Sequence, residues 1–377
     1  MFSKEEMKAE AARLGFLLCG VTSPKPPAHL DAYHSWLDAG RHAGMDYLAS
    51  PRSLAARADP HLILPGCQSI LVLAAPYPAP VPVNAEDSGQ IAAYARSSDY
   101  HNLLPPRLEA LAGWIADRCT RSLQWRACTD TAPILEKELA QRAGLGWIGR
   151  NTCLIHPQIG SYFFLAELLL DIPIEPDLPF TADRCGDCQR CMDACPTACI
   201  LPNRTLDANR CLSYLTIENK GSIPAELRPA LGNKVFGCDI CQTVCPWNQK
   251  PAARPPQTLF PPLPDLAAQH LSDELLLDDD TFRARFHDTP ILRAKRRGYL
   301  RNVIIALGNA RCPETIPALA ASLHSDLDPL VRVHAAWALG QMPDPQALTA
   351  LHAALAMETS RLVLDEIEMA IRNYPVA

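Results

Sequence analysis

The chain has 377 residues, 48% of them hydrophobic and 20% charged, so it has the composition of a soluble globular protein with room for two or three domains. A formal net charge of -6 argues against general nucleic-acid binding. No apolar run approaches the ~18 residues of a membrane span, and "MFSKEEMKAEAARLGF" carries charges where a secretory leader needs an apolar centre, so a cytoplasmic protein without membrane attachment is expected.

Residues 1–180 alternate helical and strand-like patterns in the manner of an α/β domain. "KEEMKAEAARLG" reads as an amphipathic helix, "SILVLAAPYP" as a buried strand stopped by prolines, and "PPRLEALAGWIADRC" as a helix opened by proline. "LQWRACTD" reads as a further strand and "APILEKELAQRAG" as a helix that Gly144 stops. Residues 181–250 form a cysteine-rich insert with little periodicity, expected to fold around its metal. A proline-rich connector, 251–280, follows; "PAARPPQTLFPPLP" reads as stiff and extended.

Residues 281–377 repeat. Ala306-Leu307-Gly308 and Ala338-Leu339-Gly340 stand 32 residues apart, each followed by a second apolar helix, and "DEIEMAIRN" begins a third unit. Helix pairs at this period stack as an all-α, HEAT-like solenoid, with an ordinary helical bundle as the alternative. Between Thr281 and Arg301 lie seven basic residues against only Asp288, a local reversal of the net charge. Arg293, Lys295, Arg296 and Arg297, at the entry to the first solenoid helix, are the candidates for nucleic-acid phosphates, against the plainer reading of a solvated helix face.

Fifteen cysteines in a reducing compartment point to metal ligation, and their clustering supports it. "RCGDCQRCMDACPTAC" has the Cys-x2-Cys-x2-Cys-x3-Cys-Pro spacing of a bacterial ferredoxin, in which three close cysteines wrap one cubane and the fourth reaches the other cluster. "CDICQTVCP" is a shorter copy. Together the runs supply seven thiolates where two 4Fe-4S clusters need eight. Cys199 and Cys211 are the candidates for the eighth, and Cys211 is preferred because it opens a separate element, "RCLSYLTIE". Pseudo-symmetry then groups Cys185, Cys188, Cys191 and Cys245 on one cluster, and Cys195, Cys211, Cys238 and Cys241 on the other. Structural zinc is the competing reading, but it seldom uses three cysteines at successive spacings of three. Cys19, Cys67, Cys119, Cys128, Cys153 and Cys312 lie on apolar patterns and are expected to be mostly buried.

The double-cluster insert, with "DTAPILEKELAQRAGLGWIGRNTCLI" and "AAYARSSDYHNLL" before it and a HEAT-like tail after it, resembles the epoxyqueuosine reductases over nearly the whole chain. The resemblance implies an α/β N-terminal cobalamin-binding domain, a ferredoxin-like two-cluster insert and a helical tail that helps to hold a tRNA anticodon stem-loop. It implies a monomeric, cytoplasmic oxidoreductase that removes the epoxide oxygen from epoxyqueuosine at the wobble position, distantly similar to corrinoid reductive dehalogenases. Its electrons would come from a donor such as a flavodoxin or ferredoxin.

In that family the aspartate of the "DT-x-P" motif, here Asp130, is the proposed proton donor; the plainer role is a helix cap. Asp130 is expected at the carboxyl end of a strand, where open α/β sheets bind ligands. The resemblance also marks Arg96, Asp99, Tyr100, His101, Asn151 and Ser161 as cobalamin-facing polar groups. Neither His101 nor His156 lies in a pattern that predicts cobalt ligation. The competing functions are a corrinoid reductase of another substrate and a two-cluster electron-transfer adaptor.

Overall fold

The computed structural model describes residues 2–80, 88–249, 259–266 and 270–374. By their internal contacts these fall into two compact units: 1–80, 97–209 and 239–261 in the first, and 81–96, 210–238 and 262–377 in the second. The cysteine-rich segment 181–250 is therefore divided between the units. A stretch this short and this poor in apolar periodicity lacks a core of its own, and its pieces pack on their neighbours. Residues 251–258 of the proline-rich connector lie outside the described residues. Its later part holds short helical elements at Pro264–Leu266 and Leu271–Glu274.

The first unit is built on a four-stranded sheet of β1 (Leu18–Thr22), β2 (Ser69–Pro76), β3 (Trp125–Cys128) and β4 (Phe163–Leu170), in the order β1-β2-β4-β3. Every pairing is antiparallel, so the rule for parallel sheets that suggested Asp130 does not apply to this sheet. All eight residues of β2 are buried, which explains the unbroken apolar run "SILVLAAP" in place of alternation. Helix α1 (Lys4–Arg13) opens on a Ser3/Glu6 capping box and buries Met7 and Ala11.

Helix α2 spans Tyr100–Ala116, starting earlier than the proline signal predicts. Asp99 caps it by accepting the His101 N–H at 3.0 Å, which leaves Pro105 and Pro106 inside the helix. The shift puts Tyr100 and His101 on the first turn. Helix α3 is short, Glu136–Arg142, and ends at Gly144, whose φ of +82° is open to glycine at little cost.

In the second unit, α4 (Leu212–Ile217) and β5 (Lys234–Phe236) pack with the solenoid helices α5 (Lys295–Ala310), α6 (Ile316–Ser325), α7 (Pro329–Gly340), α8 (Pro345–Leu355) and α9 (Arg361–Arg372) around one core. The repeated glycines have a steric reason. A Cβ on Gly308 of α5 would stand 2.9 Å from the Ala338 Cα on α7, and one on Gly340 of α7 would stand 2.8 Å from the Ala370 Cβ on α9. The first helices of successive repeats thus meet backbone to backbone, the contact that a stacked solenoid requires. Among the described residues, no helix is long and apolar enough to cross a membrane.

Candidate functional site

Asp130 follows β3 at a turn where its φ is +55°, a conformation that aspartate tolerates better than most residues. Its carboxylate accepts a hydrogen bond from the Tyr100 hydroxyl at 2.8 Å, and its Oδ2 lies 3.6 Å from His101 Nε2. His101 Nδ1 is in turn 2.8 Å from Asp99 Oδ1. Hydrogen bonds to Asp130 and Asp99 push the His101 pKa up to about 9, so the ring stays an imidazolium at neutral pH. Tyr100 is fixed by stacking on Phe164, with centroids 4.3 Å apart and planes inclined by 19°. Asp130 does not cap α3, whose N-terminal flank is Leu135 without a side-chain cap. The plainer role weighed for it therefore fails.

Asp130, Tyr100 and Phe164 line a cleft of about 190 Å³ together with Tyr77, Ser161 and Gln242. Near Asp130 are two carboxyl groups that the motifs did not single out, of which Glu136 also lines the cleft. Glu136 Oε1 accepts the backbone N–H of Asp130 at 2.8 Å. Glu167 is fully buried on β4, directly opposite Cys128 in the sheet. Burial, and then the charge of Asp130, pushes the Glu136 pKa up to about 7; burial beside Glu136 pushes that of Glu167 well above the ordinary carboxylate range. A signal for Glu167 was present in the sequence, as the lone charge in the apolar run "SYFFLAELLL".

Asn151 and Ser161 are both buried, and both are hydrogen-bonded to residues at or next to the second cysteine run. The Asn151 amide donates to the Cys241 carbonyl at 3.3 Å, while the Ser161 hydroxyl donates to Gln242 Oε1 at 2.8 Å and accepts from Asn248 at 2.9 Å. Of the two, Ser161 lines the cleft. Arg96 belongs to the second unit, where its carbonyl accepts the Leu263 N–H at 2.8 Å.

Among the described residues, which include all fifteen cysteines, there is no disulfide. Cys185, Cys188, Cys191 and Cys245 lie in the first unit and are near enough that the charge of one raises the thiol pKa of another, after the larger effect of burial. Cys245 and Cys185 pack with Trp147, Phe180 and Trp247, and Trp147 Nε1 donates to Cys185 Sγ at 3.4 Å. Four gathered thiols in an aromatic shell with an N–H aimed at sulfur suit an iron-sulfur cluster. Cys195 Sγ lies 3.5 Å from the buried Cys199 Sγ, while Cys211 is the residue just before α4 in the second unit. Of the six scattered cysteines only Cys67 and Cys128 are fully buried; the other four are partly exposed, so that expectation was too broad.

In the basic stretch, most charges are engaged. Arg285 pairs with the buried Glu274 at 2.6 Å, Arg293 with Glu218, and Arg296 with Asp326 at 2.5 Å. Arg301 is fully buried. Lys295 and Arg297 are exposed and have no ion pair among the described residues.

The chain matches three family models: epoxyqueuosine reductase QueG over residues 57–131, a 4Fe-4S double cluster binding domain over 184–248, and HEAT repeats over 289–372. It is 41% identical over 344 residues to the epoxyqueuosine reductase of Pseudomonas aeruginosa, covering 89% of this chain and 93% of that one. It is similar to a solved epoxyqueuosine reductase holding an epoxyqueuosine-modified tRNA-Tyr stem loop, with a TM-score of 0.89 and 31% identity over 98% of both chains. A second, from Bacillus subtilis and with an aspartate-bearing catalytic loop swung out of the active site, gives 0.91 and 30% identity over 99% of both. The expected two 4Fe-4S clusters, HEAT-like tail and mixed α/β first region all find support here, and the chain belongs to the epoxyqueuosine reductase family.

Proposed function

We propose that this chain reduces epoxyqueuosine to queuosine at the wobble position of a tRNA anticodon stem-loop, with Asp130 as proton donor. The observation that carries the reading is that Asp130 and Tyr100 line a cleft, with His101 next to Asp130, in a chain of this family. Removing an epoxide oxygen as water to leave a carbon-carbon double bond consumes two electrons and two protons. The protons must reach an oxygen that is a poor leaving group until it is protonated, so a positioned acid is a chemical need. His101 keeps its proton to about pH 9 with Nε2 3.6 Å from Asp130 Oδ2, so it is a proton source for that carboxyl group, and Tyr100 orients the same oxygen.

Cysteine thiolates supply the electron path: Cys185, Cys188, Cys191 and Cys245 for one 4Fe-4S cluster, and Cys195, Cys211, Cys238 and Cys241 for the other. Bound cobalamin would supply a low-potential cobalt centre for the two-electron reduction of the epoxide. At about 190 Å³ the cleft meets only one edge of such an amide-rimmed macrocycle, to which Tyr77, Phe163 and Phe164 offer flat walls and Ser161 and Gln242 offer hydroxyl and amide groups. Ser161, Asn151, Arg96, Asp99, Tyr100 and His101 are the residues assigned to it. Lys295 and Arg297, with Arg293 and Arg296 beside them, meet tRNA phosphates. The reading takes the protein as a cytoplasmic monomer served by a flavodoxin or ferredoxin.

Nucleoside mass spectrometry of bulk tRNA from a strain lacking the gene tests this reading. Accumulated epoxyqueuosine, reversed by the intact gene, is the expected result. Unchanged queuosine in a strain with no other such reductase would defeat it.

A further inference from the structure

Two buried residues of the solenoid reach the chain segments that carry Cys211 and Cys238. Arg301 and Asn302, adjacent on α5, are both fully buried. The Arg301 guanidinium donates to the carbonyls of Leu215 at 2.7 Å, Asn219 at 2.8 Å and Gly221 at 2.6 Å, all at or just after α4. It also donates to Asn302 Oδ1, at 2.9 and 3.1 Å. The Asn302 amide then donates to the carbonyls of Thr216 on α4 and Val235 on β5, both at 2.8 Å. The Thr216 hydroxyl donates to the Leu212 carbonyl at 2.7 Å and accepts the Gly237 N–H at 2.9 Å. Cys211 is the residue before α4, and Cys238 follows Gly237 directly.

A guanidinium removed from water and bonded to carbonyls and one amide costs stability unless those bonds fix something useful. What they fix is specific. Asn302 and Thr216 join the helix that Cys211 opens to the strand that leads into Cys238, while Arg301 holds the far end of the same helix.

We propose that Arg301 and Asn302 are positioning residues for the second 4Fe-4S cluster, setting the spacing of Cys211 and Cys238 through α4, β5 and Thr216. This rests on the reading of those two cysteines as ligands. Planar amide and guanidinium groups suit the task, because each holds two or more carbonyls in fixed directions, and an apolar side chain of equal volume would hold none.

The full-length protein, with its clusters reconstituted, is compared with Asn302→Leu, Thr216→Val and Arg301→Lys by iron and sulfide content and by redox-poised electron paramagnetic resonance. Cys211→Ala serves as the control. The expected result is that Cys211→Ala lowers iron toward half of the wild-type content, that Asn302→Leu does the same or shifts the midpoint of one cluster only, and that Thr216→Val, which keeps shape and loses the hydroxyl, shifts that same midpoint in the same direction. Arg301→Lys keeps the charge but loses the fan of bonds, and it shifts that midpoint too.

Both clusters present at unchanged midpoints in folded Asn302→Leu and Thr216→Val, with half the iron lost in Cys211→Ala, would overturn the proposal while leaving the ligand reading in place. Full iron in Cys211→Ala would instead overturn the ligand reading, and the proposal with it. Should Asn302→Leu fail to fold, Thr216→Val and Arg301→Lys decide by the same midpoint.

Discussion

The backbone N–H of Asp130 donates to Glu136 Oε1 at 2.8 Å, so the loop that carries the proposed acid is tethered by the carboxyl group of a half-buried glutamate. Burial first, and the nearby Asp130 charge second, raise the Glu136 pKa from 4.5 to about 7. Between those values the native chain holds a proton that the unfolded chain has lost, so stability falls as pH rises through that window. Replacing Glu136 by Gln keeps an acceptor for the Asp130 amide and removes the titration. Thermal unfolding of Glu136→Gln from pH 4.5 to 7 is expected to show a flatter dependence than the wild type, whereas Glu136→Ala loses the tether and with it most of the turnover.

His101 gives a dependence at the other end of the scale. Hydrogen bonds to Asp130 and Asp99 raise it from 6.5 to about 9, so its stabilising contribution is complete below 6.5 and lost as pH rises through 9. That imidazolium stands 3.6 Å from Asp130 Oδ2 and is the proposed source of its proton. Activity with tRNA substrate is expected to fall on an alkaline limb near pH 9, and His101→Asn should remove that limb, because the imidazolium that supplies Asp130 is gone. A limb that persists in His101→Asn would mean that the imidazolium proton is not used.

Asp130→Asn preserves shape and the capacity to meet the Tyr100 hydroxyl but has no acidic proton. A positioned general acid is worth about 10²- to 10⁴-fold. Single-turnover reduction of epoxyqueuosine is expected to slow by about that factor, with iron content and tRNA affinity unchanged. Tyr100→Phe leaves the acid in place and loosens its orientation, so a smaller loss is expected from it.

The double-cluster segment and the solenoid were readable in the sequence because each rests on short-range spacing: thiols three residues apart and glycines 32 apart. The setting of Asp130 was not. Glu167 comes near it only through the antiparallel register that sets Cys128 opposite Glu167, and Tyr100 comes from a helix start 30 residues earlier, so no local pattern encodes either placement. The basic stretch misled for a similar reason. Its arginines meet Asp326 and Glu218, which are 30 and 75 residues away in sequence, so a run of charge that looked free is largely neutralised.

That neutralisation separates two kinds of variant. Removing the exposed charges of Lys295 and Arg297 should lower the slope of log affinity against log salt by about 1 to 2 for the tRNA stem-loop, with little change in stability. Arg296→Ala acts differently, since it leaves Asp326 nearly buried without its partner. A loss of about 1–3 kcal/mol in folding stability is expected, because the uncompensated carboxylate must be resolvated or protonated. Equilibrium unfolding and salt-dependent binding, measured on the same proteins, tell the two effects apart.

Gly308→Ala sets two known effects against each other. Alanine favours a helix over glycine by about 1 kcal/mol, which alone would stabilise α5. Against this, the new methyl would stand 2.8 Å from Trp337 Cζ3 and 2.9 Å from the Ala338 Cα. The tryptophan ring can shift, but the second contact is to the backbone of α7, and relieving it means moving one repeat away from the next. Overpacking of this kind costs about 1–3 kcal/mol, more than the helical gain, so net destabilisation is expected. Gly113→Ala is the comparison, since Gly113 lies on α2 and a Cβ there meets nothing within 4 Å. Its melting temperature should rise while that of Gly308→Ala falls. A rise in both would show that the repeats have slack, and that the 32-residue glycine period reflects something other than close packing.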